Sequence, residues 1–344
     1  MTATLEDVAK KSGYSVSTVS RVLNNKGKVN RIKDETSQKI QKIAQELNYM
    51  PNQLARGLRL RKTHAIGLVI PDISNPFFAH VSRIIQIESY KLGYTLIVCN
   101  TDENQQTEIE QIQLLRSKGV DGFIIMPVGL KSDHIQELID NKIPLVLLDR
   151  CFDSIDTNSV VVDNYTSSFK AVEYLIRNGH KRIAIIQGLP NTSTNNMRVK
   201  GYKDALKKYN IEIDESLIVG NDYRRENGYI ESKFLLKMSN PPTAIFCTSD
   251  LITLGTLDAI IEEKLNVPHD ISLISFDDVD FAPYLFTPLT AIQQPRQIMG
   301  EMAVKLLYDD LRNKGRKEKT RIELQPVLNI RKSVLNLNPV VNPN

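Results

Sequence analysis

The chain has 344 residues, of which 41% are hydrophobic and 24% charged, so it is long enough for two or three cored domains and too apolar for a disordered or collagen-like chain. Its charge is unevenly spread: residues 1–62 hold 13 Lys/Arg and 5 Asp/Glu, a net of +8, while the other 282 hold 31 and 35, a net of −4. A small basic head precedes a large, mildly acidic body.

The head carries helical spacing from its start. Thr4 is a suitable N-cap with Asp7 three residues on, Leu5, Val8 and Ala9 share one face, and Gly13 suits a left-handed C-cap. Val16, Val19, Val22 and Leu23 form a second apolar set after a very short connection, which is a helix-turn-helix signature. A third helix is predicted from about Asp34 to Leu47 with Ile40, Ile43, Ala44 and Leu47 inward, and Pro51 biases Met50 away from helix. From His64 onward short apolar runs alternate with amphipathic stretches. Strands are predicted at Ala65–Ile70, Thr95–Cys99, Gly122–Met126, Pro144–Asp149, Ser159–Val162, Arg182–Gln187, Ala244–Cys247 and Ile271–Phe276. Helices are predicted between them, for example Phe77–Lys91, Thr107–Lys118, Ser167–Asn178 and Val199–Lys208. Continuous Val/Ile/Leu runs alternating with helices imply parallel sheets covered on both faces, and so many units imply two α/β lobes.

Other classes fall on specific residues. The opening Met1-Thr2-Ala3-Thr4-Leu5-Glu6-Asp7 has neither the basic start nor the apolar run of a secretory signal. Runs such as Ile66–Ile70 and Pro144–Leu148 are far short of the roughly 18 residues of a membrane span. Cys99, Cys151 and Cys247 fit no zinc spacing and no disulfide framework, so a cytoplasmic protein is expected. There is no phosphate loop, nucleophile elbow or zinc-protease motif, and His64, His80, His134, His180 and His269 are scattered. No enzyme activity, cofactor or metal is expected.

A second helix of this kind would present Val16, Ser17, Ser20 and Arg21 outward: Val16 for a thymine methyl, Ser17 as donor or acceptor, Arg21 for guanine or phosphate. Helix spacing alone leaves open a plain three-helix bundle with a solvated basic surface. The run Thr4–Asn24, with Thr4-Leu5-Glu6-Asp7-Val8-Ala9-Lys10 and Ser15-Val16-Ser17-Thr18-Val19-Ser20-Arg21-Val22-Leu23-Asn24, resembles the head of LacI/GalR-type bacterial transcriptional regulators. So does Leu47-Asn48-Tyr49-Met50-Pro51-Asn52-Gln53-Leu54-Ala55-Arg56-Gly57-Leu58, and the likeness continues along the chain. The resemblance implies DNA contacts from Thr4, Leu5, Val16, Ser17, Thr18, Ser20, Arg21 and Asn25. It also implies a hinge helix whose Leu58 is a minor-groove wedge, with Asn52, Ala55 and Arg56 near the groove floor or backbone. Leu54 and Leu58, four apart, could instead pack on the body.

Polar residues gather at predicted strand ends, where open α/β sheets bind ligands. They are Asp72 and Asn75 after the first strand, Asp149-Arg150, Asp163-Asn164, Ser249-Asp250 and Asp277-Asp278, with Phe77, Phe78 or Tyr223 as candidates to stack on a sugar face. Helix capping by Ser74, Asp163 and Asp250 is the competing reading. The resemblance implies a core like that of periplasmic sugar-binding proteins, with an effector in the cleft between lobes. Arg198 matches an effector-contacting arginine and Asp277 a recurrent effector-contacting aspartate.

The expected organisation is therefore an all-α helix-turn-helix head (1–50), a hinge (51–62), a two-lobed α/β periplasmic-binding-protein-like core with parallel sheets (63–335) and a tail (336–344). The lobes are expected at about 63–161 with 292–320, and 162–291 with 321–335. The expected function is a ligand-responsive, sequence-specific DNA-binding regulator, a repressor of carbohydrate-utilisation genes. Its expected partners are double-stranded palindromic operator DNA and a small-molecule effector, a sugar or sugar derivative, with no membrane. A homodimer is expected, because two-fold symmetry matches a palindrome and the prolines in Asn336–Asn344 forbid a C-terminal tetramerising helix.

Overall fold

Thr4 starts the first helix by pairing reciprocally with Asp7. The Thr4 amide donates to Asp7 Oδ2 at 2.8 Å and the Asp7 amide donates to Thr4 Oγ1 at 3.2 Å. Helix α1 (Leu5–Ser12) ends where Gly13, at φ 77°, directs its amide to the Ala9 carbonyl. Ser15 caps α2 (Val16–Leu23), and α3 is Asp34–Glu46. The three close on Val8, Val19, Val22 and Ile40, with Leu5, Leu47 and Tyr49 packed around them. The structure is a computed structural model and describes residues 3–24, 30–49, 62–313 and 318–338. It divides into two units, Met1–Thr63 and His64–Asn344.

The second unit opens with β1 (Ala65–Ile70), α4 (Pro76–Lys91), β2 (Thr95–Asn100), α5 (Gln105–Ser117), β3 (Gly122–Ile125), α6 (Asp133–Asp140), β4 (Leu145–Leu148) and β5 (Asn158–Val162). It continues with α7 (Asn164–Arg177), β6 (Ile183–Ile186), α8 (Ser193–Lys208), β7 (Ile218–Val219), α9 (Arg225–Leu236), β8 (Ala244–Cys247), α10 (Asp250–Glu262), β9 (Ser272–Phe276) and β10 (Thr290–Gln293). Last come α11 (Arg296–Asn313), β11 (Arg321–Leu324) and β12 (Val327–Asn329).

Among the described residues these form two six-stranded sheets, ordered β11-β5-β4-β3-β1-β2 and β12-β10-β9-β8-β6-β7. The pairings are parallel except that of β12 with β10. Central strands such as β3, β4 and β8 are buried along their whole length, because each sheet carries apolar clusters on both faces. No helix among the described residues is long and apolar enough to cross a membrane.

All three crossings between the lobes differ from the expected boundaries; at the first, β5 runs through Val162 in the first sheet, so the chain leaves that lobe after 162, not after 161. Strand β10 runs through Gln293 in the second sheet, so the chain leaves that lobe after 293, not at 291. Strand β11 pairs with β5 from Arg321↔Ser159 to Leu324↔Val162, so residues 321–324 belong to the first lobe and the chain re-enters the second only with β12. The parallel ladder to a buried neighbour decides this; the short, half-exposed β11 carries little signal of its own.

Candidate functional site

In the head unit, α2 turns Val16 (43% exposed), Ser17 and Arg21 to its outer face while Val19 and Val22 fill the core. The Ser17 and Thr18 hydroxyls each lie 2.9 Å from Ser15 Oγ, and Ser20 receives the Asn24 side-chain amide at its carbonyl, at 2.6 Å. Thr4 is committed to its cap, and Leu5 leans on the head's own core. Asn25, Asn52, Ala55, Arg56 and Leu58 lie outside the described residues.

In the second unit a cleft opens between the lobes at the carboxyl ends of β1, β4, β8 and β9, where strand-end loops leave backbone and polar side chains free to converge. Its inner cavity is lined by Phe77, Phe78, Asp149, Arg198, Tyr223 and Asp277, six of the nine expected residues, together with Asn75, Arg150, Thr194, Ser249 and Gln294. Asn75 caps α4 by accepting the Phe77 amide at 2.8 Å, which fixes the two phenylalanines at the first turn. Asp149 and Asp277 each follow a strand and each sits in the left-handed region, at φ 66° and 79°, a strained arrangement repeated once in each lobe. Arg198 reaches in from α8. Its Nε donates to Asn164 Oδ1 at 2.8 Å, its Nη1 donates to the Thr248 carbonyl at 2.6 Å, and its guanidinium lies 3.5 Å from the centroid of Phe276. Tyr223 shares a 3.1 Å hydrogen bond with Thr194 and packs so close to Gly188 that a side chain there would run into its ring.

The remaining three candidates are placed differently. Asp250 sits beside the cavity in the first turn of α10, where its Oδ1 accepts from Asn75 across the cleft at 3.3 Å. Ser249, not Asp250, caps that helix, and Asn75, not Ser74, caps α4. Asp72 lines a separate outer cavity and holds Ser74 through its Oδ1. Asp163 stands apart from the cavity: it caps α7 by accepting the Thr166 amide at 2.8 Å, and it accepts from Gln325 at 3.2 Å where two crossings between the lobes meet. Capping and crossover bonding use its carboxylate.

The cleft is rich in acceptors that lack donors. Asp149 Oδ1, Asp250 Oδ2 and Gln294 Oε1 are buried and find no hydrogen-bond partner among the described residues. Burial pushes Asp149 up to about 6, against the pull of Arg150 and Arg198. Burial and the neighbouring Asp277 push Asp250 up to about 7, and Asp277 is itself raised by burial, opposed by Arg198. Thr194, Gln294 and Glu103 escaped the sequence reading, and Arg150, seen there only as the strand-end neighbour of Asp149, was not among the expected effector residues. Arg150 follows Asp149 directly and Gln294 follows a strand that was not predicted, so only strand-end position could have flagged them.

Two family models match the chain. One, "Bacterial regulatory proteins, lacI family", matches residues 4–52, and the other, "Periplasmic binding proteins and sugar binding domain of LacI family", matches residues 63–332. The chain is 35% identical to the HTH-type transcriptional regulator DegA of Bacillus subtilis, covering 98% of this chain and all of that one. It is 34% identical to the HTH-type transcriptional repressor PurR of Histophilus somni, covering 97% and 100%. Among solved structures, the lac repressor dimer bound to operator and the anti-inducer ONPF matches with TM-score 0.85 at 25% identity, covering 97% and 100%. The CelR–cellobiose complex matches at TM-score 0.73 and 27% identity, covering 96% and 99%. A LacI-family regulator from Enterococcus faecium with bound ribose matches at 0.73 and 30%, covering 80% and 100%. With a helix-turn-helix head and a two-lobed periplasmic-binding-like core, the chain belongs to the LacI family of bacterial transcriptional regulators.

Proposed function

We propose that this protein is an effector-responsive repressor in which a homodimer grips palindromic operator DNA and a small molecule in the interlobe cleft sets the grip. The exposed face of α2, with Val16, Ser17, Ser20 and Arg21, reads base edges in the major groove, and Thr4, Leu5, Thr18 and Asn25 support it. Asn52, Ala55, Arg56 and Leu58 form the minor-groove element, with Leu58 as the wedge.

The observation that carries the effector reading is the set of buried acceptors, Asp149 Oδ1, Asp250 Oδ2 and Gln294 Oε1, beside the rings of Phe78 and Tyr223 and the fixed guanidinium of Arg198. Each buried, unmade hydrogen bond costs about 1–3 kcal/mol, so a ligand that brings several donors and one apolar face is favoured. A sugar or sugar derivative has that character, and relatives hold cellobiose and ribose. The second reading is a planar heterocycle such as a purine base, favoured by the two aromatic rings facing one planar group, the Arg150 guanidinium.

Thermal unfolding of the intact protein with D-ribose, cellobiose, hypoxanthine and guanine separates these. A ligand at a hundredfold excess over its Kd raises stability by about 2.7 kcal/mol. The sugar reading requires a shift with a sugar that Arg198→Ala abolishes; a shift with a base alone favours the second reading, and one that survives Arg198→Ala moves the site elsewhere.

A further inference from the structure

The inner cavity of the cleft holds about 30 Å³, room for a water or two and for no sugar or base. Arg150 fills the seat. Its guanidinium carbon lies 5.8 Å from the ring centroid of Phe78, in the first lobe, and 5.1 Å from that of Tyr223, in the second. It donates to both carboxylate oxygens of Glu103 at 2.6 Å each, a bidentate pair. Glu103 is presented by a tight turn in which Asp102 and Glu103 are both left-handed, at φ 52° and 55°.

Arg150 occupies this seat without satisfying it. Its Nε stays 3.8 Å from Asp149 Oδ2, beyond hydrogen-bond reach, and Asp149 Oδ1 and Gln294 Oε1 are left without donors. On one side Arg150 also lines a cavity of about 310 Å³, with Asp153 and Asn191 in its wall. On the other, Phe78 and Tyr223 wall a cavity of about 400 Å³ that Glu103 also lines. Arg150 thus stands between the inner cavity and the first of these, while Phe78 and Tyr223 stand between the inner cavity and the second.

We propose that Arg150 is an internal occupant of the effector seat, latched by Glu103 between the rings of Phe78 and Tyr223, and that the effector binds by taking its place. The guanidinium then turns into the neighbouring cavity beside Asp153, the space it leaves joins the inner cavity, and the ligand's donors meet Asp149 and Gln294. This deepens the reading of the cleft as the effector site and rests on it. Arg150 and Glu103 set affinity by competition, so an effector pays for displacement before it gains any contact.

The test uses the intact protein, its Arg150→Ala variant, and Arg150→Ala/Glu103→Gln, which removes both charges together so that neither is left unpaired. Ethylguanidinium, the part of the side chain that Arg150→Ala deletes, is the first probe. It should raise the melting temperature of Arg150→Ala saturably in the millimolar range, and bind wild type and the double variant at least tenfold more weakly. Equal responses in wild type and Arg150→Ala, or none in either, overturn the proposal. The second probe is whichever of D-ribose, cellobiose, hypoxanthine and guanine shifts wild type. It should bind the double variant at least tenfold more tightly; equal or weaker binding makes Arg150 a bystander or a direct contact and overturns displacement. If none of the four binds, the ethylguanidinium result decides alone. If a probe's shift survives both Arg198→Ala and Asp277→Asn, the cleft is not the effector site, and the reading beneath the proposal fails instead.

Discussion

Asp149→Asn should stabilise the protein at high pH and cost it its ligand. In the folded protein burial holds the Asp149 carboxyl at about 6, above its ordinary 3.8. The folded state therefore keeps this proton where the unfolded chain has lost it, and stability falls as pH rises from about 4 to about 6, then stays low. A shift of roughly two pH units corresponds to about 3 kcal/mol in full, and to less than about 1 kcal/mol at pH 4. Asparagine removes the titration and is among the residues that tolerate the left-handed backbone, φ 66°, found here. No hydrogen bond is lost at Oδ1, because none is made among the described residues. The raised Asp250 and Asp277 remain in both proteins, so their own contributions largely cancel in the difference. Thermal unfolding of wild type and variant at pH 4 and pH 8 should then give nearly equal melting temperatures at pH 4 and a gain of about 5 °C at pH 8, taking roughly 2 °C per kcal/mol for a unit of this size. A gain that does not change with pH, or a variant less stable at pH 8, refutes the reasoning that Asp149 is held against its own ionisation.

Arg198→Lys should lower stability by about 2–3 kcal/mol, since one ammonium cannot serve both Asn164 and the Thr248 carbonyl; chemical denaturation reads this, and an unchanged midpoint contradicts it. The chain has no tryptophan, so Tyr223→Trp places its one tryptophan, excitable apart from the tyrosines, in the cleft. Its emission should change when a cleft ligand binds and stay constant on addition of a ligand that binds elsewhere. Arg21→Ala, on the exposed face of α2, should weaken binding to operator by about 1–3 kcal/mol with no change in the head's melting temperature; equal loss on random duplex would make Arg21 a phosphate contact only.

Much of this architecture is written in periodicity. The head's helices follow from Thr4, Gly13 and the spacing of Val8, Val19, Val22 and Ile40, and the central strands follow from uninterrupted Val/Ile/Leu runs. The edges are not so written. Strand β7 has two residues and β12 three, and β11 alternates between half-buried and exposed, so pairing partners alone decide where they belong. The same limit governs the cleft. A strand end with an aspartate is visible in sequence, and Asp149 and Asp277 meet there; Asp163 instead caps its own helix, the competing reading, while its other oxygen accepts from Gln325, 162 residues away. Arg198 sits mid-helix with nothing local to mark it, and only the family resemblance pointed to it. Arg150 is legible only as the strand-end neighbour of Asp149; its contacts are not, because Glu103, Phe78 and Tyr223 come from three distant segments.

The central claim is that occupation of the cleft sets operator affinity. It is tested most directly by titrating a palindromic operator, selected by the protein from random duplex, with the intact protein in the presence of whichever cleft ligand raises its melting temperature. The account predicts a change in operator Kd of about 5- to 150-fold, equivalent to about 1–3 kcal/mol of coupling, that disappears in Asp277→Asn. An operator Kd unmoved by a ligand that demonstrably binds, or a change that persists in Asp277→Asn, contradicts it.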